Sequence, residues 1–121
     1  MLTLEEVLSD VAETPEFSQL DEVTPRSRGA NGETPLHWMA TLGDSRGIEL
    51  LIQAGAEVDA VDNNGTAPVH EAVAARQLAA VRALIGAGAT PDLRNGEGKT
   101  PLEIAEEDGF QPVVELLRQR A

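Results

Sequence analysis

Apolar residues along this chain recur at three- and four-residue steps in short stretches, the period of helices that bury one face. Ile48, Leu51 and Ile52 form one stripe, and Val81 with Leu84, then Val114 with Leu117, repeat it. A shorter stretch precedes each stripe. In the first of these, Leu36 and Ala40, followed by Gly43, give a narrow apolar face whose small residues permit close stacking. The pattern predicts paired helices over about 35–42 and 45–54, 68–75 and 78–87, and 101–108 and 111–120. Near the start, Leu4, Val7, Leu8 and Val11 mark one amphipathic helix. Phe17, Leu20 and Val23, after Thr14-Pro15, suggest a second short one, and Thr24–Asn31 reads as a connecting loop.

The stripes belong to a repeat. Gly32, Gly65 and Gly98 are spaced by 33 residues, as are Pro35, Pro68 and Pro101. Leu36, Val69 and Leu102 follow in the same register, and so do Ile48, Val81 and Val114, and Leu51, Leu84 and Leu117. Gly55-Ala56 returns as Gly88-Ala89, and Asp59 as Asp92. The residues at the helix ends have physical roles. Thr34 and Thr100 can cap a helix by accepting from a backbone N–H. The proline after each sits in the first turn, where a missing N–H costs nothing, and Pro112 is tolerated in the last helix for the same reason. Gly55 and Gly88 fall just past a helix end, where a left-handed residue belongs. Residues 56–64 and 89–97 are then extended turns to the next unit.

At Gly32-Glu-Thr-Pro-Leu-His37 the chain resembles the ankyrin-repeat family. Gly65-Thr-Ala-Pro-Val-His70 is a variant with Ala67 in place of Thr, and Gly98-Lys-Thr-Pro-Leu-Glu103 replaces His with Glu. The resemblance covers about residues 26–121. It implies an all-α solenoid of stacked helix-turn-helix units. Residues 1–121 would form a single domain: a degenerate N-terminal cap and loop over 1–31, repeats over 32–64 and 65–97, and a C-terminal capping repeat over 98–121. It also implies a concave face, made of loop tips and the exposed side of each first helix, that binds a partner protein. Carried over by register, the tip positions are Arg28, Ala30, Asn31 and Glu33, then Val61, Asp62, Asn63, Asn64 and Thr66, then Arg94, Gly96, Glu97 and Lys99. The helix positions are Trp38, Thr41 and Leu42, then Glu71, Ala74 and Ala75, then Glu107 and Asp108. Trp38 has Glu71 and Ile104 as equivalents, so it reads either as an exposed anchor or as a filler beneath the cap.

Composition narrows the function. Aromatics are only 2%, so Ala, Leu, Val and Ile must build the core, and the lack of Cys excludes disulfides and thiolate metal sites. The start has neither a basic segment nor an apolar one, and no apolar run approaches a bilayer span, so a cytoplasmic location is expected. The net charge of −12 disfavours nucleic acid and suits a basic protein partner. It is uneven: −5 over residues 1–31, −5 over 32–64, zero over 65–97 and −2 over 98–121. Glu103, Glu106, Glu107 and Asp108 read as the solvated face of a terminal unit.

His37 and His70 occupy equivalent positions in neighbouring repeats, about 8–10 Å apart if their helices stack, too far to share a zinc ion. The resemblance gives them a structural hydrogen-bonding role. Ser9, Ser18, Ser27 and Ser45 lie in capping or loop contexts, and no phosphate-binding glycine pattern occurs. No catalytic residue, metal, cofactor, membrane or small-molecule substrate is expected. The expected function is protein binding, as an immunity-type inhibitor of a basic toxin or, alternatively, as a scaffold or assembly partner.

Overall fold

The computed structural model describes residues 2–17, 20 and 22–120. Its helices are α1 (Leu4–Ala12), α2 (Pro35–Leu42), α3 (Ser45–Gln53), α4 (Pro68–Ala74), α5 (Leu78–Gly86), α6 (Pro101–Asp108) and α7 (Gln111–Arg120). There is no strand among the described residues. The expected helix bounds hold to within a residue at each end.

The helix ends follow from local chemistry. The Thr34 hydroxyl accepts from the His37 N–H at 3.4 Å, and Thr100 accepts from the Glu103 N–H at 3.2 Å. Ala67 has no oxygen to offer, and α4 starts without a side-chain cap. Asp44 caps α3 by accepting from Gly47 N–H at 2.9 Å. At the far end of α3 the Ala56 N–H reaches back to the Leu51 carbonyl at 3.0 Å, a closure that needs the left-handed Gly55. The first helix of each pair closes the same way, at Gly43 and Gly109. In the middle repeat the residue in that position is Arg76, the one non-glycine with positive φ (59°) among the described residues.

α2, α4 and α6 pack side by side in one layer, and α3, α5 and α7 form a second layer against them. Leu36 and Val69 are buried between the units, with Ile48, Val81 and Val114 and with Leu51, Leu84 and Leu117. α1 packs on α3 and α2, and its Val7 and Val11 join the same core. The outward side of the last unit is polar. Ala40 on α2 and Val73 on α4 are buried, and their equivalent on α6 is the exposed Glu106. Ile52 on α3 and Ile85 on α5 pack with the core, and their equivalent on α7 is the exposed Arg118, which pairs with Glu106 at 2.8 Å.

The N-terminal segment departs from expectation. Its second short helix is not formed among the described residues; Ser18, Gln19 and Asp21, within that stretch, lie outside them. A helix there would carry Leu20 N–H to the Glu16 carbonyl. Instead Glu16 O accepts from Ala30 N–H at 2.9 Å, and Leu20 N–H turns to Phe17 O at 3.1 Å. The long-range bond ties this segment to the first loop. Phe17 is fully buried all the same. No described helix is long and apolar enough to cross a membrane.

Candidate functional site

Each connection between units narrows into a finger with a backbone bridge at its base. Gly29 N–H donates to Glu33 O at 2.7 Å, Asp62 N–H to Thr66 O at 3.0 Å, and Asn95 N–H to Lys99 O at 2.9 Å. Within the second finger, Asp62 Oδ1 accepts from Asn64 N–H at 2.8 Å and Thr66 N–H at 3.0 Å. In the third, Asn95 Oδ1 accepts from Glu97 N–H at 2.9 Å and Lys99 N–H at 3.0 Å. The first finger has Gly29 in this place and no side chain to use. The Glu33 carboxylate occupies the space a Cβ on Gly29 would need, and Asn31 N–H points to it at 3.5 Å.

Two arginines lock the same fingers. Arg28 donates to Gly32 O at 2.9 Å and to Val61 O in the next finger at 2.6 Å, while Arg94 donates to Gly98 O at 2.7 Å. Asn63 N–H also bonds Asn31 O at 3.0 Å across the first two fingers. The fingers approach so closely that a Cβ on Gly65, already at φ +72°, would lie 2.9 Å from the Gly96 nitrogen.

The histidines tie each unit to the next. His37 Nδ1 accepts from Thr34 N–H at 3.0 Å, and its Nε2–H donates to Thr66 O at 2.7 Å. His70 repeats this with Ala67 N–H at 3.0 Å and Leu93 O at 2.7 Å. An acceptor on one nitrogen and a donor on the other define a neutral ring. Burial, the largest influence, lowers the pKa of both rings, against the pull of the carbonyls they bond. This is the structural role implied for them.

Finger and helix residues meet in two clefts that share Glu71. One is lined by Glu33, His37, Trp38, Thr41 and Glu71. The other runs from Thr66, Glu71 and Ala74 to Glu97, Lys99, Ile104 and Glu107. Trp38 is partly buried against the core and also lines the first cleft. Its indole nitrogen is buried with no hydrogen-bond partner among the described residues. Leu42, one turn further along α2, is 61% exposed, and Val61 on the second finger is 42% exposed. Asn31, Asn63, Asn64 and Glu97 are exposed on the fingers.

Charge is arranged differently at the two ends. Near the C-terminus every acid of α6 is paired: Glu103 with Arg94, Glu106 with Arg118, Glu107 with Lys99 and Asp108 with Arg76. Around Trp38, Glu33, Asp62 and Glu71 have no ion pair among the described residues. Glu71 is held above the usual carboxylate range, first by burial and then by the charge of Asp62, with Glu33 adding to it and the Thr41 hydroxyl opposing. No group of three or more His, Asp or Glu able to hold a metal ion occurs among the described residues.

Sequence reasoning missed several residues on which this surface depends. Asn95 lies 33 residues after Asp62, a signal available in the register. Asp59 accepts from the Thr90 hydroxyl at 2.6 Å, and one unit earlier the equivalent positions hold the Arg26–Glu57 ion pair, also 2.6 Å. The bridge between units is kept while its chemistry changes, so residue identity alone did not reveal it.

A family model described as ankyrin repeats, in three copies, matches residues 13–95. The match reaches further toward the N-terminus than the signature motifs and stops before the third of them. No curated protein matches the chain.

Proposed function

The chain belongs to the ankyrin-repeat family, and we propose that it is a non-catalytic binding module whose concave face docks a basic protein in the cytoplasm. Ankyrin repeats are generally protein–protein interaction modules. The observation that carries the reading for this chain is that Glu33 and Glu71 at the Trp38 cleft, and Asp62 near Glu71, have no ion pair among the described residues while the acids of α6 are paired. An aromatic anchor inside a field of one sign is an arrangement that favours fast and tight association with a partner of opposite charge. On the same reading the stack is one domain, closed by α1 at one end and by the Glu106–Arg118 pair at the other. An inhibitor of a basic toxin and a passive scaffold would both dock in this way, and the partner's activity in the complex separates them.

The test is selection of a random peptide library on the immobilised protein. The expected binders are net positive and are lost with Leu42→Asp on α2 but kept with Arg82→Ala on α5, in the opposite layer. Neutral or acidic binders, or binders that depend on Arg82, would rule the concave face out.

A further inference from the structure

We infer that the cleft between Trp38 and Glu71 receives an arginine side chain of the partner, with an apolar residue of the same segment lying on Leu42. This rests on the concave-face reading and adds the chemistry of the contact. Trp38 and Leu42 are four residues apart on α2 and so lie on one face, a turn from each other. Their equivalents are Glu71 on α4 with Ala75 just past its end, and Ile104 and Asp108 on α6. Only the first unit therefore offers two large apolar side chains in this place, and the neighbouring unit supplies a carboxylate beside them.

The cleft holds about 180 Å³. That is below the range of small-molecule pockets, roughly 300–1,000 Å³, and suits a single side chain. Its lining includes Trp38, Thr41, Glu33 and Glu71. The Glu33 carboxylate is turned toward Gly29 in the first finger, so Glu71 is the carboxylate on which the cleft depends. His37 also lines it, but both ring nitrogens are held by Thr34 and Thr66, so the ring stays neutral and does not oppose a cation. Arginine fits these walls better than lysine. Its planar guanidinium stacks on an indole, forks toward carboxylates, and gives up water more readily than an ammonium. The charged form of Glu71 is disfavoured first by burial and then by the charges of Asp62 and Glu33. An incoming cation relieves that repulsion.

Trp38 is the only tryptophan, so its fluorescence reports on the cleft without a label. The probes are N-acetyl-arginine amide, its lysine counterpart, and N-acetyl-citrulline amide, which keeps the shape without the charge. Titrated at low salt, the arginine probe is expected to give a saturable change, about fivefold weaker with lysine and absent with citrulline. Glu71→Gln, checked for folding by thermal melting, is expected to weaken the arginine response by about fivefold or more. No saturable change, an equal citrulline response, or an unaffected Glu71→Gln variant would each overturn the inference. The peptide selection above distinguishes this from failure of the wider reading. Arginine-free binders that still need Leu42 would leave the concave face standing and remove the arginine.

Discussion

His37 and Thr66 lie 29 residues apart in sequence, yet the imidazole Nε2–H of one donates to the carbonyl oxygen of the other at 2.7 Å. The bond crosses from one unit to the next, and the opposite ring nitrogen is engaged by Thr34 within its own unit. The proton arrangement that joins the units is thus that of the neutral ring. A second proton would convert the Nδ1 acceptor into a donor facing another N–H.

Acid should therefore loosen the stack before most carboxylates titrate. Burial holds both histidines below their ordinary pKa of 6.5. On acidification the unfolded chain takes up these protons first, so unfolding is favoured in that window. The contribution is fully present above about pH 6.5 and is lost as pH falls through the folded-state values. Urea unfolding between about pH 7.5 and 5.5 should show stability falling with pH, with the slope reduced in His37→Ala and His70→Ala. A flat profile in the wild type would contradict this.

Leu51 is fully buried on the face of α3 where the units meet. Leu51→Ala should destabilise the protein by about 2–5 kcal/mol. Because each unit depends on its neighbours, the loss should lower the whole unfolding transition. A change under about 0.5 kcal/mol, the scale of benign surface sites, would be inconsistent with this packing.

Asp62 and Asn95 do the same work in successive fingers, which separates the charge of Asp62 from its hydrogen bonds. Asp62→Asn should leave stability nearly unchanged, while Asp62→Ala, which strands the Asn64 and Thr66 N–H groups, should cost about 1 kcal/mol. Thermal melts of the two variants side by side decide it.

Arg76 stands where the other units have Gly43 and Gly109, and it adopts their left-handed backbone. Its guanidinium stacks on the buried Phe110, 4.7 Å from the ring centre, and pairs with the exposed Asp108 at 2.8 Å. Arg76→Ala loses these contacts and keeps the strain; Arg76→Gly loses them and removes it. The glycine variant should be the more stable of the two by about 1 kcal/mol. Equal stabilities would mean that the strain is negligible.

Once a basic partner is in hand, Asp62→Asn with Glu33→Gln should chiefly slow association and flatten its salt dependence, since exposed charges steer more than they hold. Trp38→Ala should chiefly speed dissociation, because it removes a packed anchor. Stopped-flow kinetics at low and high salt distinguish the two effects, and an association rate indifferent to salt would remove charge steering from this face.

The sequence by itself determined the fold. Threonine caps, prolines in first turns, glycines past the helix ends and apolar steps of three and four act within a few residues, and the 33-residue register repeats them until helix bounds can be read directly. Tertiary structure decided which surface residues are free. Arg28 looks like an exposed polar tip in the sequence, but it is spent on the Val61 carbonyl of the next finger, whereas Asp62 and Arg94 are engaged within four residues, in their own fingers. The expected second N-terminal helix is not formed among the described residues of its stretch, where Glu16 O accepts from Ala30 N–H and Leu20 N–H turns to Phe17 O. That Glu33 and Glu71 meet at the Trp38 cleft with no ion pair among the described residues also emerged only in three dimensions. Hydrogen bonds and charges act through space between groups about 30 residues apart, and the direction of a side chain, which no local pattern encodes, settles which of them meet.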